Sequence, residues 1–427
     1  METIYYAYNP WWEGKRLDTG IDRDFYLKNV PAFLQRRQIE VFIGSRRTGK
    51  TTLLKQMIKK LMAEDISEKD VFYLAMDHPA LSGVRIAEHI RNMRKLFLHD
   101  RDRKLYLFLD EVQESPQWET ELKALYDLEQ VKIFCTGSTS SLLTRQQGKL
   151  TGRQIVGTIY TLSFREYIRF MGAFPSLSED YKYEQLAEAY LNVGGYPEQV
   201  LNPSEEYMMN LLEDIIARDL ARLNPVKKPH ILKDLLRLIG SAVGSRTSYN
   251  KLSKVLGLSL DTVKDYIGYL EVAFLVKPLE KWTTSWSEKV YAQKKIYLWD
   301  NGLKTLLTGS GDAGNKAENA VFMELLRNGL TCGYYAESER EVDFVTGTRE
   351  NPLPVEVKYL ADFDWQDKRY AGLRLFLGRF PATKKALVIT KNVRTVLEVN
   401  GVKVHIVPLW KFLLDAPAIF TELETIR

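Results

Sequence analysis

Two groups of residues in this sequence have the types and spacing to act on phosphate. The first is Gly44-Ser45-Arg46-Arg47-Thr48-Gly49-Lys50-Thr51-Thr52, a GxxxxGK[ST] pattern with every fixed position filled. Glycines at its two ends let the main chain point successive N–H groups inward as a nest for phosphate oxygens. Lys50 is placed to reach the β- and γ-phosphates of ATP, and the Thr51 hydroxyl to hold Mg²⁺. The second group is Asp343 followed by Glu356-Val357-Lys358. Glu356 and Lys358 share one strand face. Two carboxylates and an ammonium around one point can bind Mg²⁺ or Mn²⁺ and prepare water for attack on a phosphodiester.

The elements that must position the first group are legible on both sides of it. Ile39-Glu40-Val41-Phe42-Ile43 reads as a buried strand, and Leu53 to Leu61 has helical spacing. The loop therefore lies between a strand and the positive end of a helix, where anions bind. Val71 to Ala75 is a second strand, Leu105 to Leu109 a third that ends in Asp110-Glu111, and Val131 to Ser138 a fourth. Alternating strands and helices imply a parallel sheet with its ligand at the carboxyl ends of the strands. Asp110 is then placed to hold Mg²⁺ through water and Glu111 to polarise the attacking water. Thr136 or Ser138, at the end of the fourth strand, is the expected γ-phosphate sensor. The alternative is a polar turn in which Ser138 or Thr139 caps the next helix. Arg153 is the candidate cation to offset phosphate charge, with a solvated turn arginine as the alternative.

Gly44 to Thr52, Leu109-Asp110-Glu111-Val112-Gln113, Thr136-Gly137-Ser138, Gly152-Arg153, Leu162 to Tyr167 and Gly194-Gly195-Tyr196-Pro197-Glu198 together resemble a prokaryotic AAA+-type P-loop ATPase family. In that family an AAA-like core is joined to a C-terminal nuclease-like domain. The resemblance implies ATP turnover to ADP, with 1–160 as the ATPase core and its lead-in. Within the lead-in, Trp11-Trp12 reads as a packing anchor, and the helical pattern from Asp22 to Arg37 breaks at Pro31.

Residues 161–225 read as a helical lid, and Pro225 to Pro229 as a linker. Residues 226–310 read as a winged helix, with helices over Ile231 to Val243, Ser248 to Leu256 and Ser259 to Glu271. Val272 to Val276 and Lys295 to Trp299 are the expected wing strands. Thr262, Lys264 and Tyr266 would face DNA, although Asp261, Asp265 and Glu271 on the same helix oppose phosphate. Packing or protein contact is the alternative use of this domain.

Residues 311–427 begin with a helix, Asn315 to Arg327, that bears Glu318. Strands over 331–336, 340–345 and 353–358 follow, then a helix over 366–377 and strands over 385–390 and 402–407. This order, with Glu318, Asp343, Glu356 and Lys358, resembles the PD-(D/E)xK nuclease superfamily. Val342 stands where a proline often precedes the first acid. The resemblance implies a restriction-endonuclease-like α/β domain with a metal-dependent site at Asp343 and Glu356.

The chain of 427 residues is 45% hydrophobic and 27% charged, a globular composition long enough for several domains. A net charge of +5 is compatible with a DNA partner but does not require one. No apolar run is long enough to span a membrane, and no signal-peptide profile opens the chain. Cys135 and Cys332 read as buried free thiols, which suits the cytoplasm. The five histidines form no zinc pattern. Two functions remain: an ATP-regulated enzyme that binds and cleaves DNA, or a nucleotide-dependent switch or adaptor with a silent nuclease fold. Either is compatible with a homo-oligomer.

Overall fold

The computed structural model describes residues 1–64, 66–138, 149–176, 178–221, 226 and 229–425, with the main chain alone at 138, 221, 424 and 425. The chain divides into two compact units, Met1–Tyr160 with Arg218–Leu223, and Thr161–Ala217 with Asn224–Arg427.

The first unit is built on a parallel sheet of β1 (Ile39–Gly44), β2 (Val71–Ala75), β3 (Leu105–Asp110), β4 (Val131–Ser138) and β5 (Gln154–Thr158), in the order β2-β3-β4-β1-β5. Helix α1 (Lys50–Met62) follows β1. β1 has a parallel neighbour on each side and is buried throughout, so its sequence runs apolar instead of alternating. Its one charge, Glu40, is buried against Lys132 at 2.9 Å and also meets Arg36. A buried carboxylate requires such partners. Because β4 lies between β1 and β3, the carboxyl ends of all three open on one edge.

The lead-in covers the outer edge of β2. Asn9 exchanges hydrogen bonds of 2.7 and 3.0 Å with the main chain of Tyr73, and the indoles of Trp11 and Trp12 both donate to the carbonyl of Val71. Edge groups that could pair with another chain are thereby satisfied. The helical pattern over 22–37 is split into Asp24–Leu27 and Val30–Gln35, with Pro31 in the first turn of the second piece, where a missing N–H costs nothing.

The second unit starts with α2 (Phe164–Phe170), opened by a capping box of Ser163 and Glu166. Next come α3 (Asp180–Val193) and α4 (Glu205–Asp214), which runs into a π-helical turn, Ile215–Ala221. The Gly194-Gly195 motif has a structural use, since the Gly195 N–H donates to Asp300 at 2.8 Å.

Then follow α5 (Pro229–Ser241), β6 (Arg246–Thr247), α6 (Tyr249–Leu256), α7 (Leu260–Val272), β7 (Val276–Leu279) and β8 (Lys294–Leu298). The three strands form an antiparallel sheet ordered β6-β8-β7. The strand expected from Val272 starts only at Val276. α7 continues through Val272, and Phe274 turns the chain with φ +52°.

After α8 (Asn301–Thr308) and α9 (Ala313–Arg327) come β9 (Cys332–Glu337), β10 (Arg340–Gly347), β11 (Pro352–Lys358), α10 (Ala371–Arg379), β12 (Lys385–Thr390), β13 (Thr395–Val399), β14 (Val402–Pro408) and α11 (Leu409–Thr425). Their six strands form one mixed sheet, β13-β14-β12-β11-β10-β9. β13 and α11 are additions to the expected order. Among the described residues, no helix is long and apolar enough to cross a membrane.

Candidate functional site

The loop between β1 and α1 is shaped by its two glycines in different ways. A Cβ on Gly44 would lie 2.3 Å from the carbonyl of Ile159, so Gly44 is required by close approach. Gly49 has φ +88° and is the N-cap of α1, a left-handed conformation that glycine adopts without a Cβ penalty. Glycine has no side chain to cap the helix, so the first N–H groups of α1 remain available to an anion. Lys50 is buried, and its ammonium donates to the carbonyls of Gly44 and Ser45, each at 3.0 Å. Burial pulls its pKa down, while Glu111, Asp110 and Asp219 oppose that effect.

At the end of β3, Asp110 accepts hydrogen bonds from the hydroxyls of Thr51 (2.6 Å), Tyr73 (2.9 Å) and Thr136. The Thr136 hydroxyl also accepts the N–H of Glu111 at 3.1 Å. Glu111 sits at φ +50°, a conformation uncommon outside glycine and asparagine, and its carboxylate accepts from Gln113 at 2.5 Å. Next to this group, burial and the charges of Asp110 and Glu111 push the Asp77 carboxyl up. Thus Lys50, Thr51, Asp110, Glu111 and Thr136 gather at one sheet edge.

Two further residues brace this loop. The buried guanidinium of Arg23 donates to the carbonyls of Thr48 (2.9 Å) and Tyr160 (3.1 Å). Arg46 clasps the buried Asp219 with bonds of 2.6 to 2.9 Å. Burial raises the Asp219 carboxyl, and Arg46 counters it.

In the second unit, β10 and β11 pair antiparallel with Phe344 opposite Val355, so Asp343 faces Glu356 on one side of the sheet. The β9–β10 register shifts between Val342 and Val345, at the position of Asp343. Asp343 accepts the N–H of Val357 at 2.9 Å, and Lys358 reaches Glu356 at 2.6 Å and Asp343 at 3.4 Å. Glu318 arrives from α9 and accepts from the Tyr297 hydroxyl at 2.6 Å. Lys295, on β8 and 0% exposed, lies in the middle of this cluster. Its ammonium is 3.0 Å from Asp343, 3.1 Å from Glu318 and 3.1 Å from Glu341. Arg246 adds a second contact to Glu341 at 3.1 Å. Burial and the Asp343 charge raise Glu318 to about 7 and Glu356 to about 8. Burial acts the same way on Asp343, but Lys358 and Lys295 outweigh it and hold that carboxyl well below the usual range.

Residues 36–168 match a family described as AAA domain, and residues 184–313 match one described as a domain of unknown function, DUF8612. Residues 36–168 are thus an AAA-type P-loop domain. An uncharacterized protein of Haemophilus influenzae is 28% identical over 350 residues, covering 79% of this chain and 87% of that protein. The uncharacterized protein MJ1544 of Methanocaldococcus jannaschii is 28% identical over 359 residues, covering 79% and 77%. Among solved structures, PCH-2 of C. elegans aligns at 16% identity over 57% of this chain and 68% of its own, with a TM-score of 0.27. AMPPCP-bound DnaA of Aquifex aeolicus aligns at 18% identity over 59% and 92%, with a TM-score of 0.26. Both scores are too low to define the arrangement of this chain.

The AAA domain fits a nucleotide with Mg²⁺. It offers an uncapped helix N-terminus, a lysine that donates to two main-chain carbonyls, and a hydroxyl and a carboxylate 2.6 Å apart. The C-terminal cluster does not fit a resident metal, because an ammonium already stands among its acids. Among the described residues, no group of three or more His, Cys, Asp or Glu side chains is arranged to hold a metal ion. Lys295 thus stands where Asp343 and Glu356 were expected to hold a metal.

Two other expected residues stand away from the places foreseen for them. Arg153 pairs with Asp127 at 2.9 Å, and its carbonyl accepts from Ile39 at the start of β1. It is therefore roughly 15–20 Å from the loop at the far end of that strand. Tyr266 is buried in the core of α7 and is not on its outer face. The Ser138 side chain and Thr139 lie outside the described residues.

Reading the sequence missed Arg23, Tyr73, Asp219 and Lys295. Lys295 left little signal: with Lys294 it opens β8 and reads as a charged strand end, yet β8 is buried along its whole length, and a buried lysine needs an acidic partner.

Proposed function

We propose that the protein binds ATP at the β1–α1 loop and hydrolyses it to ADP and phosphate. The observation that carries this reading is the gathering of Lys50, Thr51, Asp110, Glu111 and Thr136 at one edge of the AAA-domain sheet. The loop N–H groups and Lys50 hold the phosphates. Thr51 and Asp110 hold Mg²⁺, which when bound offsets the negative charge of the phosphates. Glu111 polarises the attacking water, and Thr136 keeps both acids in place through its hydroxyl. Glu111→Gln preserves shape and removes the base, so ATP should still bind while turnover stops. Turnover equal to that of the unsubstituted protein would reject the assignment of Glu111.

In our reading the output of this site is a helical lid (161–225), a winged helix (226–310) and a nuclease-like domain (311–427). The order helix, strand, two helices, two strands, with the β6-β8-β7 sheet, supports the winged-helix reading. The convergence of Asp343, Glu356 and Lys358 supports the nuclease-like fold. DNA is the partner that these two folds suit. The lysine inside the acid cluster favours binding over cutting, hence a nucleotide-dependent switch. Binding to phosphates would weaken steeply with salt as counterions are released. DNA affinity of the full chain that is absent, or indifferent to salt, would turn the output toward a protein partner.

A further inference from the structure

We propose that Lys295 is the resident cation of the C-terminal acid cluster, standing where a nuclease-like arrangement of acids would hold a divalent metal. The cluster is then a joint of paired acids and lysines between β8 and the six-stranded sheet, and it neither binds metal nor cleaves phosphodiesters.

Three features of the site lead there. The first is position. The Lys295 ammonium is 3.0 to 3.1 Å from one oxygen each of Asp343, Glu318 and Glu341, so it occupies the space these carboxylates share. An ammonium and a divalent cation cannot occupy that point together. The second is anchorage. Lys295 is 0% exposed and fixed in a strand paired on both sides, so its side chain cannot swing out to solvent as a surface lysine does. The third is the state of the other acids. Lys358 forms a 2.6 Å pair with Glu356, the Asp343 carboxylate also accepts a main-chain N–H, and the Tyr297 hydroxyl closes on Glu318. Each carboxyl that could take a metal is already engaged. Losing one of two paired buried ions leaves the other without compensation, which keeps such a cluster closed.

The inference does not rest on the ATP reading, because its test is made without nucleotide. Thermal unfolding of the full chain is measured with a chelator and with millimolar Mn²⁺ or Mg²⁺, alongside Mn²⁺ binding by electron paramagnetic resonance. The unsubstituted protein should show no metal-dependent rise in Tm and no tightly bound Mn²⁺. Lys295→Met should lower Tm by roughly 5–15 °C, as expected for acids left uncompensated. Mn²⁺ should then bind the variant and recover much of that loss, because the point between Asp343 and Glu318 is open to it. A folded Lys295→Met chain that gains no metal response would overturn the proposal. Tight Mn²⁺ binding by the unsubstituted chain that disappears in Asp343→Asn would also overturn it. If Lys295→Met does not fold, the unsubstituted chain decides alone: no metal binding supports the proposal, and binding lost in Asp343→Asn refutes it.

Discussion

Lys50 and Lys295 are both buried lysines beside acids, one in each unit, and they differ in what they touch. Lys50 donates to two main-chain carbonyls, at Gly44 and Ser45. Lys295 meets three carboxylates. A carbonyl orients an ammonium without cancelling its charge, so Lys50 keeps a net positive charge for an incoming anion. A carboxylate cancels it, so Lys295 is committed to the fold. The acids mirror this contrast. Asp110 is surrounded by hydroxyls, which leave its charge intact, whereas Asp343 is held between two ammonium groups. Lysine near acid is thus a different device in each unit, and the partner atoms decide which.

The largest expected effect comes from breaking the chemistry on the Lys50 side. Glu111→Gln should lower kcat by about 10²–10⁴, as for loss of a general base, with ATP affinity kept. Lys50→Ala should instead abolish most ATP binding, which a nucleotide titration reads directly. Breaking the Lys295 side should alter stability and leave ATP turnover alone. Lys295→Met should destabilise the second unit by about 3–5 kcal/mol, as for a broken buried ion pair. Lys358→Met should cost less, because Lys358 is partly exposed and water replaces part of what it supplies. Equal losses would mean that the two lysines do the same work.

A smaller effect separates the two units by pH. Glu318 and Glu356 have folded-state values near 7 and 8 against an ordinary 4.5. Between those limits the unfolded chain has released their protons while the folded chain keeps them. Stability of the second unit should therefore fall as pH rises from about 5 to 8. Asp343 has the opposite sign, but its loss lies below pH 4, outside this window. Denaturant melts of Glu356→Gln across this range should show a flatter dependence. A slope identical to that of the unsubstituted chain would show that Glu356 does not titrate there.

The smallest effect concerns Asp219, whose carboxylate holds Arg46 of the phosphate loop. Asp219→Asn removes a negative charge that acts on Lys50, so ATP should bind about 3–10-fold more tightly at low salt. Unchanged or weaker binding would show that Asp219 acts only as a brace for Arg46.

These contrasts also explain which parts were legible in the sequence. The β1–α1 loop and the Asp110-Glu111 pair could be read because their residues are contiguous and their strands are buried on both faces, which leaves unbroken apolar runs. β12 was legible for the same reason, whereas β13 is a short and largely exposed edge strand with little apolar signal. Asp343 and Glu356 could be placed together because a hairpin joins their strands. Lys295 could not, since it is 48 residues from Asp343 and on a strand of another sheet. The partner of Arg153 was hidden for a related reason. An arginine after a glycine turn reads as free until the fold brings Asp127 against it.

The central claim is that the chain has one site for metal and phosphate, in the AAA domain, and a lysine in place of metal at the other. Counting Mn²⁺ bound per chain, with and without a non-hydrolysable ATP analogue, tests it most directly. The account predicts one bound Mn²⁺ per chain with the analogue, lost in Lys50→Ala, and none without it. A tightly bound Mn²⁺ in the absence of nucleotide, lost in Asp343→Asn, would contradict it.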